Sequence, residues 1–209
     1  MKAYWCIPPK QDADFVAHME DVLDVYERPY CQERPVVCLD EKPYQLLGDV
    51  RSPQPMRPGQ DLREDTEYER NGTYSIFAVV EPLTGRQHIS VRERRTALDW
   101  AEEIQYLCDV MYPDAKKIVI VMDNLNPHAK SSLYKRFKPQ EAHRLARRLE
   151  IHYTPKHGSW LDIAEIELSA LGRQCIAGNR IPDLPTLRSL LKPWAAARNT
   201  AQKGVDWQF

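Results

Sequence analysis

The sequence predicts an α/β domain built on a mixed sheet covered by helices, and three observations carry that expectation. Short apolar runs rich in β-branched residues take turns with stretches whose apolar residues recur every three to four positions. The first three runs follow one another with no helix between them, as antiparallel strands do, whereas the later two are each reached through a helical stretch, as parallel strands are. Two of the runs, one early and one late, end on an aspartate.

The elements follow in order. Residues 11–28 place Phe15, Met19, Val22, Leu23 and Tyr26 on one stripe and stop before Pro29, which predicts an amphipathic helix that leads into the domain rather than forming one of its own. Pro35-Val-Val-Cys-Leu-Asp40 reads as a buried strand that emerges on a carboxylate. Between Asp49 and Gly72, Pro53, Pro55, Pro58 and Gly59 are interleaved with acids and arginines, which predicts a long exposed excursion between two strands. Thr73 to Val80 and Arg86 to Val91, joined by Pro82-Leu-Thr-Gly85, form a hairpin.

Thr96 with Asp99 can cap a helix whose stripe of Ala97, Trp100, Ala101, Ile104, Leu107, Cys108 and Met111 ends at Pro113. Lys117 to Met122 is a near-continuous β-branched run, as in a strand covered on both faces, and Asp123 follows it. After Pro139 a helix buries Ala142, Leu145, Ala146 and Leu149, and Glu150 to Thr154 makes a short strand. A last helix spans Leu161 to Cys175 with Ala164, Leu168, Leu171 and Cys175 inward.

Composition narrows the class. A chain of 209 residues and 24.3 kDa with 43% hydrophobic residues can close one medium core. Its apolar runs fall far short of the roughly 18 residues needed to span a bilayer, and its first residues lack the apolar stretch of a secretory leader. A cytoplasmic protein is expected. The five cysteines are scattered without a C-x-x-C pair, which argues for buried free thiols over a disulfide framework or zinc knuckle. With 29 Lys and Arg against 30 Asp and Glu, any nucleic-acid surface must be a local patch.

Two aspartates at the ends of buried strands, joined by a carboxylate from a later helix, can hold a pair of divalent cations about 3.5–4 Å apart for phosphodiester chemistry. Hard oxygen donors favour magnesium, with manganese able to substitute. Asp40 and Asp123 supply the first two, and the third comes from Asp162, Glu165 or Glu167. Glu165 and Glu167 point about 200° apart on a helix, so only one of them can join the site. The segment from Lys130 to Arg148 carries Lys130, Lys135, Arg136, Lys138, Arg144, Arg147 and Arg148 against a single acid, Glu141, and such a basic strip beside the second aspartate suits a DNA backbone. Arginines of the 51–70 excursion are further candidates for contact with DNA or a second subunit. Trp160 is expected to pack in the core rather than stack on a base.

Five motifs in order resemble one family: Cys38-Leu-Asp-Glu-Lys-Pro43, Tyr44-Gln-Leu-Leu47, Asn71-Gly-Thr73, Val121-Met-Asp-Asn124 with His128, and Thr154-Pro-Lys-His-Gly-Ser-Trp-Leu-Asp-Ile-Ala-Glu165. Together they are similar to the catalytic domain of the IS630 group of bacterial transposases, related to the Tc1/mariner elements. The resemblance implies an RNase H-like fold, with three antiparallel strands followed by parallel ones. It also implies an Asp, Asp, Glu triad that binds magnesium, two ions in all, for DNA strand cleavage and joining. The triad falls on Asp40, Asp123 and Glu165, and relatives commonly carry asparagine where this chain has Asp162.

By the same resemblance Glu41 would shape the metal site, Asn124 and His128 would hydrogen-bond near the scissile phosphate, and His157 would support the approach to the last helix. The implied organisation is a leading helix and linker over residues 1–34 and a catalytic domain over 35–209, without the helix-turn-helix modules that relatives place first. Implied partners are double-stranded DNA at element ends and targets, a second copy of the chain, and a separate helix-turn-helix subunit, in the cytoplasm at the nucleoid. Two rivals keep the fold: an inactive fragment that regulates a full-length transposase, and a nuclease for branched DNA.

Overall fold

The structure is a computed structural model that describes residues 13–125 and 128–207. Five strands form one sheet in the order β3-β2-β1-β4-β5, comprising β1 (Val36–Asp49), β2 (Tyr68–Glu81), β3 (Arg86–Arg92), β4 (Ile118–Met122) and β5 (Leu149–Tyr153). The pairs β1·β2 and β2·β3 are antiparallel, and β1·β4 and β4·β5 are parallel. The helices are α1 (Ala13–Tyr26), α2 (Ala97–Tyr106, continued by a π-helical turn at Leu107–Met111), α3 (Lys130–Arg136), α4 (Pro139–Arg148), α5 (Ile163–Leu171) and α6 (Leu184–Ala201).

Strand alternation sorts the core into two layers. Along β4, Val119 and Val121 face a cluster that includes Val22 of α1, Ala164 and Leu168 of α5 and Leu187 of α6. Ile118, Ile120 and Met122 face Trp100 and Ile104 of α2, Leu133 of α3 and Leu145 of α4. All five β4 residues are fully buried, as the unbroken β-branched run required, and each such side chain contributes about 1.5–3 kcal/mol of transfer free energy. α1 packs into the same core as the sheet, consistent with a leading helix rather than a separate body. Thr96 and Asp99 cap α2 reciprocally.

Four features differ from the sequence reading. β1 does not stop at Asp40 but pairs with β2 as far as Asp49, so the exposed excursion shrinks to the segment between β1 and β2. Pro43 is accepted opposite Ser75 because β4 leaves β1 after Cys38 and frees one edge. The helix α3 precedes Pro139, and α6 lies in a stretch for which no element was expected. Of the four described cysteines, all free, Cys38 and Cys108 are buried but Cys31 is exposed in the turn before β1. Cys6 and residues 11–12 of the expected first helix lie outside the described residues. No described helix is long and apolar enough to cross a membrane.

Candidate active site

The parallel register brings the two strand-end aspartates to one level. Cys38 pairs with Val121, so two further residues along each strand place Asp40 beside Asp123, and Met122 paired with Tyr153 places Thr154 next in line. Cys38 and Val121 face the α5 side of the sheet, and residues two positions on face the same way. α5 delivers Glu165 there from its first turn, after Asp162 caps the helix by accepting from the Ala164 N–H at 2.8 Å. Below the turn into α5, a Cβ on Gly158 would lie 2.5 Å from the Pro155 ring, so only glycine permits that approach.

Asp40, Asp123, Asp162 and Glu165 line one cleft of about 840 Å3, with Asn124, Thr154, Lys156 and His157 on its walls. Glu167 turns the other way and pairs with Arg198 of α6 at 2.9 Å. α1 closes one side through Asp14, Phe15 and His18, a contribution that no local pattern in the sequence announces. Trp160 is 41% exposed and does not pack in the core, because in the short turn Ser159–Leu161 the inward place is taken by Leu161.

Charge in the cleft is poorly balanced. Burial, reinforced by the neighbouring carboxylates of Glu41, Asp123 and Glu165, raises the pKa of Asp40 to about 7. Asp162 is fully buried, and burial together with Asp40 holds its carboxyl well above the usual range; its Oδ2 has no hydrogen-bond partner. The cation facing this group from within is His128, which is buried. Its Nδ1–H donates to Asp123 Oδ1 at 2.6 Å, and its Nε2 lies 3.1 Å from Glu41 Oε2. The second contact is close but poorly aligned, an ionic contact rather than a directed hydrogen bond, so that oxygen keeps an open acceptor site. Burial opposes the imidazolium, yet the contacts with Asp123 and Glu41 prevail and carry its pKa up to about 10. With both ring nitrogens engaged, His128 acts on Asp123 and not on a phosphate.

Among the described residues no three His, Cys, Asp or Glu side chains are already drawn close enough to cage an ion. The four carboxylates nevertheless feel one another, since Asp123 and Glu165 both raise Asp40. Like charges without a counter-ion spread round a cleft, and hard oxygens in that state fit a divalent cation.

Of the basic strip, Lys135, Lys138 and Arg147 are exposed without a hydrogen bond or ion pair among the described residues. The others are engaged: Arg136 with Glu102 at 2.7 Å, Arg144 with Asp109 and Glu141, Arg148 with the carbonyls of Cys108 and Ala115 at 2.8 Å, and Lys130 with the Leu149 carbonyl at 2.9 Å.

Residues 35–188 match the family profile described as DDE superfamily endonuclease. Among solved structures, the chain is similar to the Mos1 transposase paired-end complex with left transposon end, at a TM-score of 0.64 and 15% identity over 97% of this chain and 62% of that one. It is also similar to the Mos1 mariner paired end complexes with Mn (TM-score 0.61, 17% identity, 94% of this chain and 59% of that chain) and with Mg (0.61, 16%, 97% and 60%). The chain thus spans about three fifths of the length of those structures, and at these identities the likeness shows the RNase H-like fold. No curated protein sequence matches.

Proposed function

The chain belongs to the DDE superfamily endonuclease family, and from that premise we propose that it is the catalytic domain of an IS630-type transposase, cutting DNA strands at element ends and joining the freed 3′-hydroxyl to target DNA. The observation that carries this reading is the equal level of Asp40 and Asp123 on adjacent parallel strands, with Glu165 facing them across one cleft. Asp40, Asp123 and Glu165 would hold two magnesium ions, or manganese in their place, and such ions supply activation of the attacking oxygen and neutralisation of the leaving one.

The chain's own residues do the rest. His128, pinned by Glu41, fixes the rotamer of Asp123 so that its free oxygen stays turned to the cleft. Asp40 holds a proton near neutral pH and releases it when a cation takes its place. Asn124, Lys156 and His157 on the walls are suited to orient the scissile phosphate.

The similar structures are complexes with a transposon end, with Mn and with Mg, which supports DNA as substrate and a divalent cation as cofactor. Residues 35–209 would be the catalytic unit behind the leading segment 1–34. Duplex DNA is the partner, with a second copy or a helix-turn-helix subunit supplying end recognition. Incubation with supercoiled plasmid tests the proposal: nicking in Mg²⁺ or Mn²⁺, none in EDTA, and none for Asp40→Asn or Glu165→Gln. Metal-independent nicking, or full activity in either variant, sinks it.

A further inference from the structure

The two strands that end at the acidic cleft begin at a basic one. Lys116 and Lys117 immediately precede β4, Arg147 and Arg148 immediately precede β5, and with Lys130, His143 and Arg144 they wall an open cleft of about 600 Å3. β4 and β5 run in register from Ile118–Leu149 to Met122–Tyr153. At about 3.3 Å per residue the two clefts are therefore on the order of 17 Å apart, at opposite ends of the same strands. The basic strip does not lie beside Asp123, as its place in the sequence suggested; most of it gathers behind the sheet's parallel half.

Two of these cations are neutralised. Lys116 pairs with Glu33 at 2.6 Å, and Arg144 with Asp109 at 2.8 Å and Glu141 at 2.6 Å. Four are not. Lys117 Nζ donates to the Arg147 carbonyl at 2.6 Å and Lys130 Nζ to the Leu149 carbonyl at 2.9 Å. The Arg148 guanidinium donates to the carbonyls of Cys108, Tyr112 and Ala115. Arg147 has no hydrogen bond or ion pair among the described residues. Carbonyls at a helix end carry only about half a charge between them, so they hold these side chains in place without cancelling them. Four uncancelled, mostly immobilised cations in one cleft, on a chain of net charge −1, form a built anion site.

We propose that this cleft grips the backbone phosphates of duplex DNA at a point remote from the bond that is cut. The wall is almost wholly polar, Ala146 being its apolar member, and offers no ring or apolar slot for a base. That suits a repeating line of phosphates better than a nucleotide. The inference rests on the DNA-cutting reading for the identity of the polyanion.

The test measures duplex binding by fluorescence anisotropy across a salt series in EDTA, where nothing is cut. Arg147→Glu weakens binding to all sequences alike and lowers the slope of log affinity against log salt by about one, while Arg147→Lys restores both. Thermal melts match the unsubstituted chain, since the side chain has no partner to lose. An unchanged slope in Arg147→Glu overturns the proposal, as does a chain that binds no duplex. Competition by inorganic phosphate with duplex affinity indifferent to the substitution identifies a small-anion site and overturns it too. Binding with the expected slope by a chain that never nicks DNA would sink the nuclease reading and leave this one standing.

Discussion

Two groups of carboxylates in this protein are treated in opposite ways. Glu102 and Glu103 on α2 meet Arg92 of β3, which binds both, and Arg136 of α3 adds a second bond to Glu102 at 2.7 Å. Glu103 is buried and its Oε1 is taken by Arg92 at 2.5 Å and by Ser90. In the cleft, Asp40, Asp123, Asp162 and Glu165 share one internal cation, His128, and two of the four are pushed up toward protonation. The first arrangement is what folding stability selects. The second leaves a charge deficit that a divalent cation would fill, and it marks the place where stability is given up for chemistry.

The sharpest way to break this contrast is substitution in each group. Asp123→Asn should remove metal-dependent nicking altogether and leave the melting temperature equal or higher, because one repelling charge has gone. A large loss of stability would mean that Asp123 is a structural carboxylate like Glu103. Glu103→Gln should do the reverse, lowering stability by about 3 kcal/mol in chemical denaturation because Arg92 is left half-buried beside a neutral group, while nicking per folded molecule is retained.

How much of this the sequence disclosed follows the same division. Asp40 and Asp123 were legible because a strand ending on a carboxylate is a local pattern, and the parallel pairing that levels them needed only the β-α-β order. Glu165 and Glu167 were separable as mutually exclusive, but the choice lay in Arg198 of α6, 31 residues away and on a helix that went unrecognised. That helix had its signal, an Asp183 cap with Pro185 in the first turn, obscured by Pro193 within it. The docking of α1 over the cleft and the engagement of Arg144 and Arg148 inside the fold are tertiary facts. A run of basic residues shows neither which of its members are already occupied nor which end of a sheet they reach.

A smaller effect sharpens the role of the one internal cation. His128→Ala should leave Asp123 free to rotate and Glu41 buried without a counter-charge, reducing Mn²⁺ affinity in titration calorimetry by 10–100-fold, the usual range for a residue that orients a ligand. His128→Lys, which keeps the charge but cannot bridge both carboxylates, should recover stability more than affinity. Equal affinity in all three proteins would show that Asp123 is held by its strand alone.

The smallest expected effect tests a compensated carboxylate on the surface. Glu150 of β5 binds Arg28 at 2.8 Å and Arg34 at 2.5 Å, and His152 lies 3.1 Å away, tying the end of α1 and the turn after it to the sheet edge. Burial opposes its charge, but these bonds outweigh burial and hold its pKa at about 2 against an ordinary value of 4.5. The unfolded chain therefore binds the proton more readily between those values. The stabilisation is present above about pH 4.5 and is lost as pH falls toward 2. Because the partners are partly exposed, Glu150→Gln should lower stability by only about 1 kcal/mol at pH 7 and by progressively less as the acid range is entered. If the two melting curves fail to converge on acidification, the anchoring of α1 comes from its apolar stripe, Val22, Val25 and Tyr26, and not from this ion-pair group.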